Sequence, residues 1–304
     1  MPFFTVVIPT YNRAAKLRRA VESVLNQTFT DFELLVMDDG SSDDSEEITR
    51  SFRDERVRYE WMPNSGGPAT PRNRGIVAAR APWISFLDND DIWYPDRLER
   101  VADTVGQRPS VDVVCHDEVM HVVRTGEKTR LRHGPAASNF YRVLLLDGNR
   151  LSTSAVTIRL EFLKSHALLF NEASDYVIVE DYDLWLRLAE RGARFHFLDR
   201  CLGEYTIEDD NISGETATYC AHREVLLRDH VYRVQQFESD KEKLWREVAQ
   251  RLALEEVGAL LTGGSVLDGC RQFVRVMSTA PLVTLKHGLT RLGRKAGNQW
   301  KRSP

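Results

Sequence analysis

Long apolar runs are missing from this 304-residue chain, and no stretch approaches the ~18 residues that a membrane-spanning helix needs. Any contact with a membrane is therefore expected to be peripheral. Cysteine is sparse, and Cys115, Cys201, Cys220 and Cys270 are scattered with no C-x-x-C pair and no tight His/Cys cluster, which argues against a zinc site. Reduced thiols in a cytoplasmic setting fit that pattern. The opening "MPFFTVVIPTYNR" lacks the charged start, long apolar centre and small-residue cleavage site of a secretory leader, and it reads as a strand, so cytoplasmic residence is the expectation. An excess of basic charge is absent too. With 41 Lys and Arg against 45 Asp and Glu, the net charge of -4 gives no global positive field to draw the protein onto nucleic acid, and no nucleic-acid partner is expected. Internal repeats and low-complexity tracts are also missing. What is present is a 42% hydrophobic content, enough for one large packed core or two modest ones.

The apolar residues alternate between two periods. Residues 4–8 form a compact β-branched and aromatic run, and after a polar turn Leu17, Ala20, Val21, Val24 and Leu25 recur at helical spacing. Residues 32–37 are a second run, followed by "DDGSSDDS", whose side chains suit the start of a helix over 46–52. Residues 57–61 make a third strand, 71–81 a helix and 83–87 a fourth strand. A helix then follows with Leu98, Val101, Ala102 and Val105 on one face. This alternation predicts an α/β fold with a mainly parallel, Rossmann-like sheet flanked by helices. Residues 1–110 are the expected first half of this fold. Residues 111–214 are its expected second half, with looser patterning, a helical stripe at Tyr182, Trp185, Leu186 and Ala189, a stop at Gly192 and a strand over 195–198. Residues 215–304 are the expected helical extension.

In parallel sheets ligands bind beyond the carboxyl ends of the strands. The polar clusters fall there: "PTYNR" after strand one, "DDGSSDD" after strand two, "NSGGPATPRNRG" after strand three and "DNDD" after strand four. Asp88, Asp90 and Asp91 crowd like charge that water or a cation must screen. Mg²⁺ or Mn²⁺ favours such oxygen donors, and Mg²⁺ is often held by one or two carboxylates with phosphate oxygens completing its shell. A solvated turn with Asp91 capping the next helix accounts for the same residues equally well. Asp38 and Asp39 can accept from a base imide or a ribose hydroxyl, while Ser41, Ser42 or Asp43 caps a helix. Arg72 and Arg74 can neutralise a diphosphate or stand as solvated surface arginines. His116 is expected to be structural.

Together "FTVVIPTYNR", "LLVMDDGSSDDS", "PRNRGI", "ISFLDNDDIWYPDRLE" and, more loosely, "LSTSAVTIRL", "VEDYDLWLRLAERG" and "YTIEDDNIS" resemble family 2 glycosyltransferases of the GT-A fold. The resemblance implies inverting transfer of a sugar from a nucleotide-sugar donor, a UDP-sugar, to a glycan or lipid-linked acceptor in surface polysaccharide or glycan assembly. It implies nucleotide contacts at Pro9, Thr10, Tyr11 and Arg13, at Asp38 and Asp39 with Asp39 reading uracil, at Arg72 and Asn73, and at Asp88 and Asn89. It implies Mn²⁺ or Mg²⁺ on Asp90 and Asp88, and Asp181 as catalytic base beside Glu180. Without it, Glu180 and Asp181 read as favourable charge at a helix N-terminus.

Glu208 stands where the family often carries a histidine, and it is the candidate third metal ligand, with a solvated loop over Glu208, Asp209 and Asp210 as the alternative. A carboxylate there repels a diphosphate unless a cation lies between them. This departure keeps a non-catalytic nucleotide-sugar-binding subunit in view. A sugar nucleotidyltransferase is the other rival, although it calls for a glycine-rich basic loop where this chain has "PTYNR". The polymer synthases of the family carry Q-x-x-R-W, absent here, so addition of a single residue is expected. From Thr284 onward the chain is basic with no acidic residue, and Leu285, Leu289, Leu292 and Trp300 suit a helix lying on an anionic membrane surface; a solvated terminus is the alternative.

Overall fold

A computed structural model describes residues 1–208, residues 217–262 (side chains to 257) and residue 273. The chain forms two compact units, one of Met1–Tyr141 with Asn149–Gly214, the other of Arg142–Gly148 with the helices after residue 215. In the first unit β1 (Phe4–Thr10) and β2 (Phe32–Asp38) are buried along their whole length. Strands buried on both faces belong at the centre of a parallel sheet with helices on either side. Here β1 pairs in parallel with β2 and with β4 (Trp83–Phe86), and β2 with β3 (Val57–Trp61). All four therefore end on one edge, at Thr10, Asp38, Trp61 and Phe86.

The stripe on α1 (Ala14–Leu25) packs Leu17, Ala20, Val21 and Val24 against Phe4, Val6 and Ile8, joined by Leu98, Val101 and Val105 of α4 (Arg97–Gln107). The first backbone N–H of α1 is capped from a distance, since Asp43 Oδ2 accepts from Ala14 at 2.8 Å. Asp43 also takes Ser45 N–H and hydroxyl at the start of α2 (Ser45–Ser51), so one carboxylate serves two helix starts. On the other face lies α3 (Ala69–Ala78), where a Cβ on Gly75 would sit 2.5 Å from Val7 Cγ1. Glycine permits that approach.

Beyond β4 the sheet becomes mixed. In order it runs β3-β2-β1-β4-β8-β6-β9-β5, with β7 on β6, where β5 is Ile92–Trp93, β6 Val113–Val122, β7 Glu127–Leu131, β8 Val156–Arg159 and β9 Phe195–Ile207. β9 is 13 residues long, far beyond the expected 195–198. The polar Asp199 and Arg200 end the apolar run, but irregular register near Asp117 absorbs them and pairing with β6 resumes to Ile207. α6 (Leu160–Ser165) and α7 (Glu180–Glu190) complete this unit, whereas most of α5 (Phe140–Asp147) belongs to the second, and Gly192 just after α7 takes φ 80°, the expected stop.

The C-terminal part is helical. α8 (Ala217–Asp229) runs through a wider turn at His230–Val234, and α9 (Lys241–Thr262) follows; Leu226, Leu227, Val231, Leu244 and Val248 are buried. Among the described residues no helix is long and apolar enough to cross a membrane. The basic tail from Thr284 and Cys270 lie outside the described residues.

Candidate active site

The loops at the shared strand edge are stitched to one another. Asn12 follows the exposed Tyr11 at φ 48°; its N–H donates to Ser41 Oγ, and its Oδ1 accepts from Ser42 N–H, both at 2.8 Å. Pro9 and Thr10 are the last residues of β1, and Asn89 donates to Thr10 Oγ1 at 3.2 Å. Asp38 is fully buried and takes Ser41 N–H and the Tyr59 hydroxyl, each at 2.7 Å. Asp39 accepts from Ser65 N–H at 3.0 Å, Ser65 Oγ at 2.7 Å and Asn64 Nδ2 at 3.4 Å. Burial raises its pKa, and the Asp38 charge adds to this against the Ser65 bonds.

The crowded aspartates each meet a different partner. Asp88 accepts from Arg72 Nη2 at 2.6 Å, and Asp90 pairs with Arg13 Nη1 at 2.7 Å. Burial and then the Asp88 charge push the Asp90 carboxyl upward, with Arg13 and Lys16 opposing. Asp91 does not cap the next helix. It is buried and accepts from Ser154 Oγ at 2.5 Å and Thr206 N–H at 2.9 Å, while Asp96 occupies the residue before α4. α4 begins only at Arg97, and the gap lets the Asp91 side chain turn inward.

Arg72 lies at the centre, 4% exposed. Its Nη1 donates to Glu180 at 2.6 Å, so the forked donors that the sequence aimed at a diphosphate are engaged by Glu180 and Asp88. Burial alone would lower its pKa, yet those two carboxylates carry it above the ordinary arginine value. Glu180 is pushed up by burial, with Arg72 opposing, and its Oε2 is buried without a partner. Asp181, in the first turn of α7, takes Tyr182 N–H at 2.6 Å and the Thr153 hydroxyl at 3.4 Å. Its pKa is pushed up to about 7, by burial first and Glu180 second, against Arg72 and the Tyr182 amide. Arg72 thus joins Asp88 and Glu180, residues that the sequence scatters over a hundred positions, and Asp181 feels the charge of all three.

Other candidates lie in different company. The Asn73 amide is spent on Phe170 and Glu172, fastening that loop to α3. Glu208 pairs with Lys16 at 2.8 Å. His116 is buried and held neutral: burial lowers its pKa well below the usual value, Arg97 donates to its Nε2 and its Nδ1 contacts the Asp117 carbonyl. Among the described residues no group of three or more His, Cys, Asp or Glu side chains is arranged to hold a metal. Asp88 and Asp90 alone are two hard oxygen donors, each beside an arginine, and burial with the Asp88 charge disfavours the anion at Asp90. They fit the sparse protein shell of Mg²⁺ or Mn²⁺, whose other positions phosphate and water fill. Thr153 and Ser154, which touch Asp181 and Asp91, went unassigned in the sequence because single hydroxyls before a strand carry no spacing signal.

Against known proteins, the family model described as "Glycosyl transferase family 2" matches residues 5–160, just over half of the chain. An uncharacterized glycosyltransferase of Rickettsia felis is 48% identical over 96 residues, which are 31% of this chain and 16% of that protein. The chain thus spans about a sixth of that relative's length. A putative teichuronic acid biosynthesis glycosyltransferase of Bacillus subtilis is 23% identical over 231 residues, 74% of this chain and 88% of that one. Among solved structures, Staphylococcus aureus TarS 1-349 in complex with UDP-GlcNAc superposes with a TM-score of 0.65 at 21% identity, covering 91% of this chain and 80% of that one. A Pyrobaculum calidifontis mannosyltransferase in complex with GDP-Man and Mn²⁺ gives 0.57 at 16% identity, covering 96% and 87%. At these identities the likeness is one of fold, the GT-A type.

Proposed function

The chain belongs to glycosyl transferase family 2, and from that membership we propose that it is an inverting enzyme moving one sugar from a UDP-sugar to an acceptor hydroxyl in polysaccharide or glycan assembly. Residues 1–110 hold the donor, and residues 111–214 present the acceptor and the base. The acceptor is a glycan or lipid-linked glycan, with the basic tail supplying peripheral membrane contact. The UDP-GlcNAc complex and the teichuronic acid relative support this choice of substrates.

The observation that carries the reading is the Asp181 carboxyl, raised to about 7 beside Glu180, while Arg72 joins Glu180 to Asp88. An ordinary aspartate near 3.8 is a weak base, and one poised near neutrality accepts a proton far more readily while still ionised at working pH. Asp181 takes the proton of the acceptor hydroxyl as that oxygen attacks the anomeric carbon, and the bond to the diphosphate breaks on the opposite face. Asp39 accepts from the base imide, and Pro9, Thr10, Tyr11 and Arg13 line the nucleotide. Arg72 holds the Glu180 and Asp88 carboxylates in place. Asp88 and Asp90 would hold Mn²⁺ or Mg²⁺, which would supply positive charge to the leaving diphosphate, whereas Glu208 is engaged by Lys16. Incubating the purified chain with Mn²⁺, acceptor glycans and a panel of UDP-sugars is expected to release UDP from one donor. Nucleotide-sugar synthesis from a sugar phosphate, or binding without turnover, would reject the reading.

A further inference from the structure

β8 runs antiparallel to β4, Ser85 opposite Thr157, so the start of β8 lies beside the end of β4. The tight turn Thr153–Ala155, directly ahead of β8, is thereby placed between the aspartate loop and the first turn of α7. We propose that Thr153 and Ser154 are positioning residues of the transfer reaction, Ser154 fixing the Asp88–Asp91 loop on the donor side and Thr153 fixing the Asp181 carboxylate on the acceptor side. The inference rests on the glycosyl-transfer reading above.

Ser154 meets the loop three times. Its Oγ accepts the Asp88 N–H at 3.1 Å and donates to Asp91 Oδ2, and its carbonyl accepts from Trp93 Nε1 at 2.8 Å. Asp91 is anchored in turn by Thr206 N–H. Ser154 is 1% exposed and Asp91 2%, so these bonds do not compete with water. Thr153, the residue before, is also buried and donates to Asp181 Oδ2, while Tyr182 N–H holds Oδ1. The charged groups around Asp181 are Glu180, Arg72 and Asp88. Among the described residues none of these donates a hydrogen bond to its carboxylate, and the Thr153 hydroxyl orients Oδ2. Two adjacent residues of one rigid turn thus set the donor loop and the base at a fixed separation, which transfer requires because the attacking oxygen must reach the anomeric carbon in line.

The two hydroxyls make separable expectations. Ser154→Ala is expected to weaken UDP binding and raise the donor KM by about tenfold, with kcat changed less. Thr153→Val is expected to lower kcat by about tenfold at pH 7 and to shift the acid limb of the kcat profile to higher pH, because a hydrogen bond to the charged carboxylate is lost, with UDP affinity unchanged. Thr153→Ser restores both. Thermal unfolding identical to the parent excludes a general loss of fold; if Ser154→Ala does not fold, Trp93→Phe removes one tie to the same turn and is expected to weaken UDP binding as well. Unchanged UDP affinity in Ser154→Ala or Trp93→Phe, or an unmoved pH limb in Thr153→Val, overturns the proposal. A parent protein that turns over no donor rejects the glycosyl-transfer reading and with it Thr153's role, whereas titration with UDP still decides the role of Ser154.

Discussion

Asp181 is destabilised as an anion by what surrounds it, and the same destabilisation makes it a usable base. Its carboxyl is raised from 3.8 to about 7. If Asp181 is the base as proposed, transfer needs its ionised form, so kcat is expected to rise about tenfold per pH unit below 7 and to level off above it. A pH-rate profile of the parent protein checks this, and a flat profile between pH 5 and 8 would contradict it. The stability consequence has the opposite sign. A carboxyl whose pKa is higher in the folded than in the unfolded chain contributes stability at low pH, and that contribution is lost as pH rises through about 7. Asp181→Asn is therefore expected to melt a few degrees higher than the parent at pH 8, by roughly 2–4 °C per kcal/mol relieved. A lower melting temperature for the variant at pH 8 would go against the pKa assignment. At this scale the charged residues were legible: dense carboxylate after a strand is costly enough to stand out, and Arg72, Asp88 and Glu180 do meet. The hydroxyls were not. Ser154 lies 63 positions from Asp91, and Thr153 28 from Asp181, and nothing local marks either.

Among the elements, the helix–strand alternation was read from apolar spacing, and α1, β1, β2 and β3 fall where that spacing puts them. Helix starts were harder, because their caps come from other loops: Asp43 serves α1 across 29 positions, a contact that local sequence cannot show. The length of β9 was hidden for a similar reason, since its second half is held by pairing with β6 and not by its own composition. Close packing of α3 on β1 gives the test at this scale. Gly75→Ala forces a methyl against Val7, and a loss of about 1–3 kcal/mol is expected from overpacking. Urea unfolding should show a lower midpoint at unchanged slope; an unshifted midpoint would mean that α3 has room to move away.

For the whole molecule, a net charge of -4 offers no general attraction for an anionic donor, so recognition has to be concentrated at the strand edge where Arg13, Arg72 and the carboxylates meet. If Asp88 and Asp90 hold a divalent metal as proposed, removing it with EDTA is expected to cut transfer to less than about a tenth, restored by Mn²⁺, because the charge of the leaving diphosphate then goes unneutralised. Full transfer in EDTA would remove the metal from the account. The most direct measurement is the transfer rate of Asp181→Asn beside its UDP affinity. The expected result is a fall of about a thousandfold in rate with UDP bound as tightly as by the parent, and transfer at the parent rate would show that Asp181 is not the base.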